Sequence, residues 1–163
     1  MGSGKSTIGA ELARKFNMPF IDLDVLIEKK SGKTISDIFG EIGENSFRVL
    51  ERESLLQILE KENTVIALGG GTPCFYDNME LIKESGCTIY LKVPAYVLEP
   101  RLSKEISKRP LLQDMNPPEM MEFIQQQIGD REKFYLYADM INTGENISVL
   151  IDKIIEYRNK KKA

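Results

Sequence analysis

Residues 1–7 read MGSGKST, and this stretch decides the fold that we expect for the chain. Gly2 and Gly4 allow a tight turn that brings backbone N–H groups close to an anion. Lys5 adds a mobile ammonium, and the hydroxyl of Ser6 can reach a metal ion. Apolar residues recur at every fourth position after Ser6, so we expect a helix whose N-terminus faces the same anion. The stretch therefore predicts a phosphate-binding loop.

A glycine-rich helix cap that binds no ligand is an alternative to this loop, but a cap would need neither Lys5 nor Ser6.

The start of the predicted loop is incomplete. The full pattern is G-x-x-x-x-G-K-[ST], and a strand normally leads into it. Only three residues precede Gly4, so the first glycine and that strand are absent from the sequence. We therefore expect the sheet to lack one strand and Met1 to be an internal residue of the natural protein.

The composition narrows the classes of function. The 163 residues carry a net charge of −3, which argues against a broad nucleic-acid-binding surface. No apolar run approaches the length of a membrane span, and no signal peptide precedes the first helix. Cys74 and Cys87 do not form a CxxC motif, so we expect two reduced thiols. We expect a single cytoplasmic domain over residues 1–163, acting as a monomer without a membrane or nucleic-acid partner.

The chain contains no histidine, and this absence restricts its chemistry. It removes nucleophiles activated by histidine and metal sites built on imidazole, and it leaves carboxylates as the candidate general bases. A bound metal should then be a hard cation with oxygen ligands, and Mg²⁺ is the ion that we expect.

Short apolar strands alternate with helices along the rest of the chain. The strands are predicted within residues 18–24, 64–68, 87–93 and 139–143. This alternation predicts an α/β domain in which helices cover both faces of a parallel sheet. Ligands of such sheets bind at the carboxyl ends of the strands, where the sequence features with chemical potential are found.

Two pairs of charged residues are candidates for chemistry. Asp22 and Asp24 end the first predicted strand and would point to opposite faces if the strand continued. One carboxylate could assist Mg²⁺ while the other meets a substrate hydroxyl, and the alternative is that Asp24 only caps the next helix. Arg48 and Glu51 lie three apart on one helical face, where the arginine could bind a planar anion. A surface ion pair is the alternative for these two residues.

A triple glycine and two arginines complete the set of candidates. Residues 69–71 follow a buried strand and put backbone N–H groups where a ligand could lie close. Arg109 lies in the polar segment 103–118, where a guanidinium could close over developing phosphate charge. Arg131 lies near the end of a long predicted helix, and contact with solvent is the alternative for both arginines.

Taken in order, these features resemble shikimate kinase along nearly the whole chain. The motifs that carry the resemblance are MGSGKST (1–7), FIDLD (20–24), IFGEIGENSFRVLE (38–51), GGGTP (69–73), RPLL (109–112) and REKFY (131–135). The resemblance implies ATP-dependent phosphorylation of the 3-hydroxyl of shikimate, on the route to chorismate and the aromatic amino acids. It also implies a three-layer α/β/α P-loop fold with strand order 2-3-1-4-5, in which the missing first strand is the central one.

The resemblance assigns roles residue by residue. ATP is expected at Gly2, Ser3, Gly4, Lys5, Ser6, Thr7, Arg101 and Arg109, and Mg²⁺ at Ser6 and Asp22. Shikimate is expected against Asp24, Phe39, Phe47, Arg48, Gly69, Gly70, Gly71 and Arg131. The expected catalytic residues are Lys5, Asp24 as the candidate base, and Arg109. A substrate-binding helical region is expected over about 24–62, and a mobile lid over about 103–118.

Two rival functions share the phosphate-binding loop. Another small-molecule kinase, such as a gluconate kinase, gives no reason for Arg48, Arg131 and the triple glycine. A nucleotide-binding protein without turnover is supported only by the missing strand.

Overall fold

The structure is a computed structural model that describes residues 2–104 and 115–162. Within these ranges the chain forms seven α-helices, four short strands and one 3₁₀-helix. The helices are α1 Lys5–Phe16, α2 Leu23–Ser31, α3 Ile35–Leu59, α4 Asn78–Ser85, α5 Ala95–Ser103, α6 Pro117–Tyr135 and α7 Ile147–Lys162. The strands are β1 Phe20–Asp22, β2 Val65–Ala67, β3 Ile89–Leu91 and β4 Met140–Asn142, and the 3₁₀-helix is Thr72–Cys74. The predicted alternation of strands and helices is confirmed.

The four strands form two parallel pairs. β1 pairs with β2, with Phe20 opposite Val65, and β3 pairs with β4, with Ile89 opposite Met140. Within the described residues no ladder joins β2 to β3. If the strand expected before the phosphate-binding loop is numbered 1, the observed pairs are 2-3 and 4-5 of the expected order. A cavity of about 1320 Å³ reaches β2, β3 and the loop before α1, and a strand between the two pairs stays a prediction.

Three apolar clusters pack the helices onto the strands. The largest joins α2 and α3 beside β1 and β2, and its most buried members are Leu23, Ile27, Phe47, Leu55 and Ile58. A second joins α5 to α6 through Leu98, Leu102, Met120 and Ile124. A third joins α1 to α7 through Leu12, Leu150 and Ile154. Along the described ranges, no helix is long and apolar enough to cross a membrane.

The helix ends nearest the candidate residues differ from the predictions. α1 begins at Lys5, one residue earlier than predicted, after Gly4 in a left-handed conformation. Asp22, and not Asp24, caps α2, because its carboxylate accepts hydrogen bonds from the backbone N–H groups of Asp24 and Val25. β1 therefore ends at Asp22, and Asp24 lies in the first turn of α2. The opposite faces predicted for a continuing strand do not apply.

α3 contains a bend within the region that the sequence predicts to bind substrate. Its cap is Thr34. Gly43 has φ 74° and ψ 170°, a conformation that glycine tolerates and that interrupts the helix. The bend separates Phe39 from Phe47 in the chain, yet their rings pack with centroids 4.2 Å apart.

The segment predicted as a lid is described only at its ends. α5 continues through Pro100 to Ser103, and α6 begins at Pro117, where the side chain of Asn116 caps it. The predicted catalytic residue Arg109 and the rest of 105–114 lie outside the described residues.

Candidate active site

The loop before α1 has the backbone of a phosphate cradle. Gly2 and Gly4 have φ values of 65° and 85°, which L-residues rarely adopt. The first turn of α1 carries Lys5, Ser6 and Thr7 and contains no acidic residue. The N–H groups and the positive end of the helix dipole therefore face the loop without a carboxylate on the same turn.

Lys5 and Ser6 join this loop to the carboxylates that follow β1. The Nζ atom of Lys5 lies 3.1 Å from Oδ2 of Asp22 and 3.2 Å from Oδ2 of Asp24. The Ser6 hydroxyl donates to Oδ2 of Asp22 at 2.6 Å. Burial alone would raise the pKa of Asp22, but the hydrogen bond from Ser6 and the charge of Lys5 outweigh it and hold that pKa below 3.8. Asp22 is therefore ionised at neutral pH.

The triple glycine packs directly against two predicted substrate-binding side chains. A Cβ atom at Gly69 would lie 2.8 Å from Oδ1 of Asp24, and one at Gly71 would lie 2.7 Å from Nη1 of Arg48. Cβ atoms do not approach other atoms this closely in real proteins. A side chain at either position would therefore displace Asp24 or Arg48, and the glycine loop 69–71 forms a wall shared by these two residues.

Arg48 and Glu51 form a buried pair, so the surface ion-pair alternative is wrong. Arg48 is 8% exposed and Glu51 is 2% exposed. Nη1 of Arg48 donates to Oε2 of Glu51 at 2.8 Å, and Nη2 donates to Glu44 at 3.0 Å. The glutamates hold the guanidinium in one orientation.

Aromatic rings enclose the same guanidinium. Its central carbon lies 5.4 Å from the ring centre of Phe39 and 5.3 Å from that of Phe47, both predicted substrate-binding residues. The ring of Phe75 lies nearer still, at 4.1 Å. Phe75 was not found from the sequence because it follows the glycine motif in a loop, where no periodicity marks it. The rings surround the guanidinium, and Phe47 itself belongs to the buried core cluster of α2 and α3.

A buried polar network behind Glu51 was also missed. The Thr72 hydroxyl donates to Oε1 of Glu51 at 2.8 Å, and Nδ2 of Asn78 donates to the Thr72 carbonyl at 2.8 Å. Thr72 and Asn78 are at most 1% exposed. Arg52 extends the network by donating to Oδ1 of Asn78 at 2.7 Å. These contacts satisfy both oxygens of Glu51 and tie α3 to the loop after the triple glycine.

Arg131 approaches the glycine loop from α6. It lines the same cavity as Gly70, and its charge is close enough to the Tyr135 hydroxyl to oppose the rise of the Tyr135 pKa. That hydroxyl donates to the carbonyl of Gly70 at 2.6 Å. Burial raises the pKa of the Cys74 thiol, and the charges of Arg131 and Arg48 both oppose this shift. Both arginines are therefore close enough to act on one thiol beside the glycine loop, although they are far apart in the chain.

Arg101 lies beside the phosphate-binding loop. Its Nη1 atom donates to the carbonyl of Gly2 at 3.1 Å, and its side chain is exposed. α5 brings it there by packing on α6. Of the predicted site residues, Arg109 alone lies outside the described ranges.

The site as a whole has an anion-binding feature at each end. One end has a glycine-rich turn, a helix N-terminus and the Lys5 ammonium, which suit a polyphosphate. The other has two arginines, an apolar wall and an open glycine loop, which suit a small molecule with a carboxylate. Asp24 lies between them and could accept a proton from a hydroxyl.

Comparison with known proteins gives the family. A family model described as shikimate kinase matches residues 1–158. A shikimate kinase of Bacteroides thetaiotaomicron is 46% identical over 147 residues, which cover 90% of this chain and 84% of that protein. One of Flavobacterium johnsoniae is 44% identical over 140 residues, which cover 85% of this chain and 81% of that protein.

Solved structures agree with the sequence comparisons. The crystal structure of shikimate kinase from Bacteroides thetaiotaomicron matches with a TM-score of 0.89 and 43% identity, covering 98% of this chain and 94% of that one. Shikimate kinase from Acinetobacter baumannii in complex with shikimate matches with a TM-score of 0.86 and 32% identity, covering 99% and 90%. These matches confirm the predicted P-loop kinase fold. The chain therefore belongs to the shikimate kinase family, enzymes that are kinases acting on shikimate.

Proposed function

We propose that this shikimate kinase transfers the γ-phosphate of ATP to the 3-hydroxyl of shikimate at the site described above. One observation carries the proposal: Asp24 lies 3.2 Å from Lys5 of the phosphate-binding loop and directly against the glycine loop that also contacts Arg48. Asp24 thus lies beside both the phosphate-binding loop and the glycine loop next to Arg48. The relative from Acinetobacter baumannii, which was solved in complex with shikimate, supports this substrate.

ATP binds with its phosphates in the loop before α1. The backbone N–H groups and side chains of the loop hold the β- and γ-phosphates, and the residues concerned are Gly2, Ser3, Gly4, Lys5, Ser6 and Thr7. The left-handed conformations of Gly2 and Gly4 support this role, and so does the first turn of α1, which contains no acidic residue. Arg101, which contacts the Gly2 carbonyl, lies on the nucleotide side of the site.

Ser6 would bind Mg²⁺ directly, and Asp22 would support the ion through water. A hydroxyl and an ionised carboxylate whose oxygens lie 2.6 Å apart are hard donors that fit this ion. Among the described residues no group of three or more Asp, Glu, His or Cys side chains gathers, so phosphate and water oxygens would complete the coordination. When bound, the ion would offset negative charge on the phosphates.

Asp24 acts as the general base. It takes the proton of the shikimate 3-hydroxyl as the hydroxyl oxygen forms a bond to the γ-phosphorus. The bond between the γ-phosphorus and the bridging oxygen breaks, and its electron pair leaves with ADP. Lys5 offsets the negative charge of the transferred group. Phosphoryl transfer needs alignment and charge stabilisation more than covalent help, which is what this arrangement supplies.

Arg48 and Arg131 bind the carboxylate of shikimate. Arg48 is held by a buried ion pair with Glu51, with its fork toward the glycine loop, and Arg131 approaches that loop from α6. The glycines 69–71 line the pocket for the ring of the substrate, and Phe39 and Phe47 form its apolar wall. Two arginines and one acceptor carboxylate match a small polyol that carries a single negative charge.

Arg109 keeps its predicted role as the third catalytic residue, closing over the transferred phosphate. Because it lies outside the described residues, this role depends on the resemblance and on the general need for charge stabilisation.

An acceptor comparison tests the function. Purified protein with ATP and Mg²⁺ should release ADP when shikimate is added, and should release none above background with gluconate. Equal turnover with gluconate would favour another small-molecule kinase. Nucleotide binding without ADP release on adding shikimate would favour a binding protein without turnover.

A further inference from the structure

Tyr135 connects the helix that carries Arg131 to the glycine loop. It is the last residue of α6, one helical turn after Arg131, so both side chains lie on the same helical face. Its hydroxyl donates to the Gly70 carbonyl at 2.6 Å, and the charge of Arg131 is close enough to oppose the rise of its pKa. Tyr135 therefore joins the helix that carries a predicted substrate-binding side chain to the backbone of the glycine loop.

The position of this hydroxyl is well defined. The Tyr135 ring packs against Tyr90 of β3, with centroids 5.0 Å apart and the planes tilted by 40°. Burial raises the pKa of Tyr135 to about 12, so the hydroxyl keeps its proton and remains a donor at neutral pH. The Gly70 carbonyl also accepts a weak hydrogen bond from Cys74, at 3.7 Å. Both ends of the Tyr135 contact are thus fixed by packing.

A shift of the glycine loop would disturb the whole substrate end of the site. Gly70 lies between Gly69, which contacts Asp24, and Gly71, which contacts Arg48. Loss of the bond at Gly70 would therefore change the position of Arg131 relative to Arg48 and to the base.

We propose that Tyr135 is a positioning residue for shikimate binding. Its hydroxyl sets the separation between α6 and the glycine loop, so that Arg131 and Arg48 reach one carboxylate together. This proposal rests on the proposed role of both arginines in binding that carboxylate. Tyr135 does not touch the substrate and exchanges no proton during the reaction.

The substitution Tyr135→Phe tests the proposal, because it keeps the ring against Tyr90 and removes only the hydroxyl. We expect KM for shikimate to rise about five- to tenfold, while kcat and KM for ATP change by less than about twofold. Tyr137→Phe is the matched control, since Tyr137 is 66% exposed and should give wild-type constants. Thermal unfolding of both variants measures any general loss of stability.

Two further experiments distinguish a positioning role from a purely structural one. The rise in KM caused by Tyr135→Phe should disappear when the acceptor is the carboxamide analogue of shikimate, which lacks the negative charge. Adding Tyr135→Phe to Arg131→Ala should weaken shikimate binding little beyond the effect of Arg131→Ala alone, because the two residues act together.

An equal rise in KM with both acceptors would overturn the proposal. An unchanged KM in Tyr135→Phe together with a raised KM in Arg131→Ala would overturn it and leave the proposed function intact. An unchanged KM in both variants would instead contradict the proposed binding of the shikimate carboxylate by Arg48 and Arg131.

Discussion

At the scale of single residues, Arg48 and Glu51 raise the question of why two charges are buried together. Removing two charges from water costs free energy that their attraction offsets only in good geometry, so such a pair adds little net stability. Glu51 is 2% exposed, so removing Arg48 alone would leave its buried negative charge without a positive partner. This change would lower the free energy of unfolding by about 3–5 kcal/mol. The pair is better explained by orientation: Glu51 and the network behind it hold a guanidinium ready for an anion.

Arg48→Lys tests that explanation without stranding Glu51. Lysine keeps the positive charge but loses the planar fork that binds a carboxylate with two bonds. We expect KM for shikimate to rise about ten- to a hundredfold, with KM for ATP largely unchanged, since charge-assisted bonds contribute about 1.5–3 kcal/mol. Steady-state kinetics with each substrate varied in turn measures both constants. Arg14→Lys, at an exposed position near the end of α1, is the control, and a selective loss of ATP affinity in Arg48→Lys would place this arginine at the nucleotide.

Asp24→Asn tests the general base. Asparagine keeps the shape of the side chain and loses both the basic oxygen and the charge beside Lys5. We expect kcat to fall by roughly 10²–10⁴, with ATP affinity nearly unchanged by calorimetry. Asp152→Asn, on the exposed face of α7, should leave kcat at its wild-type value. Turnover near the wild-type rate in Asp24→Asn would remove this residue from the role of base.

At the scale of structural elements, the glycine loop matters for the space it leaves. Gly71 has φ −82° and ψ −27°, which any residue can adopt, so glycine is not required there for backbone freedom. The restriction comes from Arg48, whose Nη1 atom would lie 2.7 Å from a Cβ atom at this position. The loop and α3 therefore fit together only while the loop lacks a side chain.

Gly71→Ala should consequently act through Arg48. The backbone can accept alanine, but the added methyl group must displace the guanidinium. We expect KM for shikimate to rise roughly tenfold or more, with KM for ATP little changed. Gly40→Ala in α3 is the matched control, because a Cβ atom there meets nothing within 4 Å and helix propensity favours alanine. Wild-type kinetics in Gly71→Ala would mean that Arg48 can move without loss of binding.

At the scale of the whole molecule, one ionised aspartate holds the end of each strand pair. Asp22 ends β1 and accepts from Ser6 and from the first turn of α2. Asp139 precedes β4 and accepts from the backbone N–H and the hydroxyl of Thr88, at 2.9 and 2.7 Å. Burial would raise the pKa of each carboxyl, but the hydrogen bonds from Ser6 and Thr88 outweigh it and lower both pKa values below 3.8.

The free energy of unfolding should therefore fall in acid. A carboxyl whose pKa is lowered by folding stabilises the folded state fully above its unfolded pKa of about 3.9, and this contribution is lost as pH falls through the lower folded pKa. We expect urea midpoints to change little above about pH 5 and to fall below about pH 4. Asp139→Asn should weaken this acid dependence and keep wild-type kcat at neutral pH. The same acid dependence in Asp139→Asn would show that Asp139 contributes none of it.

The amino-acid sequence alone determined the fold class and was enough to predict most of the candidate site residues, because the signals involved are local. A phosphate-binding loop needs glycines, a lysine and a serine within a few residues, and amphipathic periodicity predicts each helix from its own segment. Lys5, Asp24 and Arg48 were identified in this way. The alternative that Asp24 caps α2 was wrong by two residues, because Asp22 and Asp24 carry the same side chain and only the path of the backbone decides between them.

Only the tertiary structure decided which distant residues support the site. Thr72 meets Glu51 from 21 residues away, and Tyr135 meets Gly70 from 65 residues away. Phe75 encloses Arg48 from a loop without periodicity. None of these contacts has a local signal, since each depends on how separate elements pack and on which buried polar atoms then need partners. Such pairings arise only when the chain has folded, and for that reason no spacing rule along the sequence reveals them.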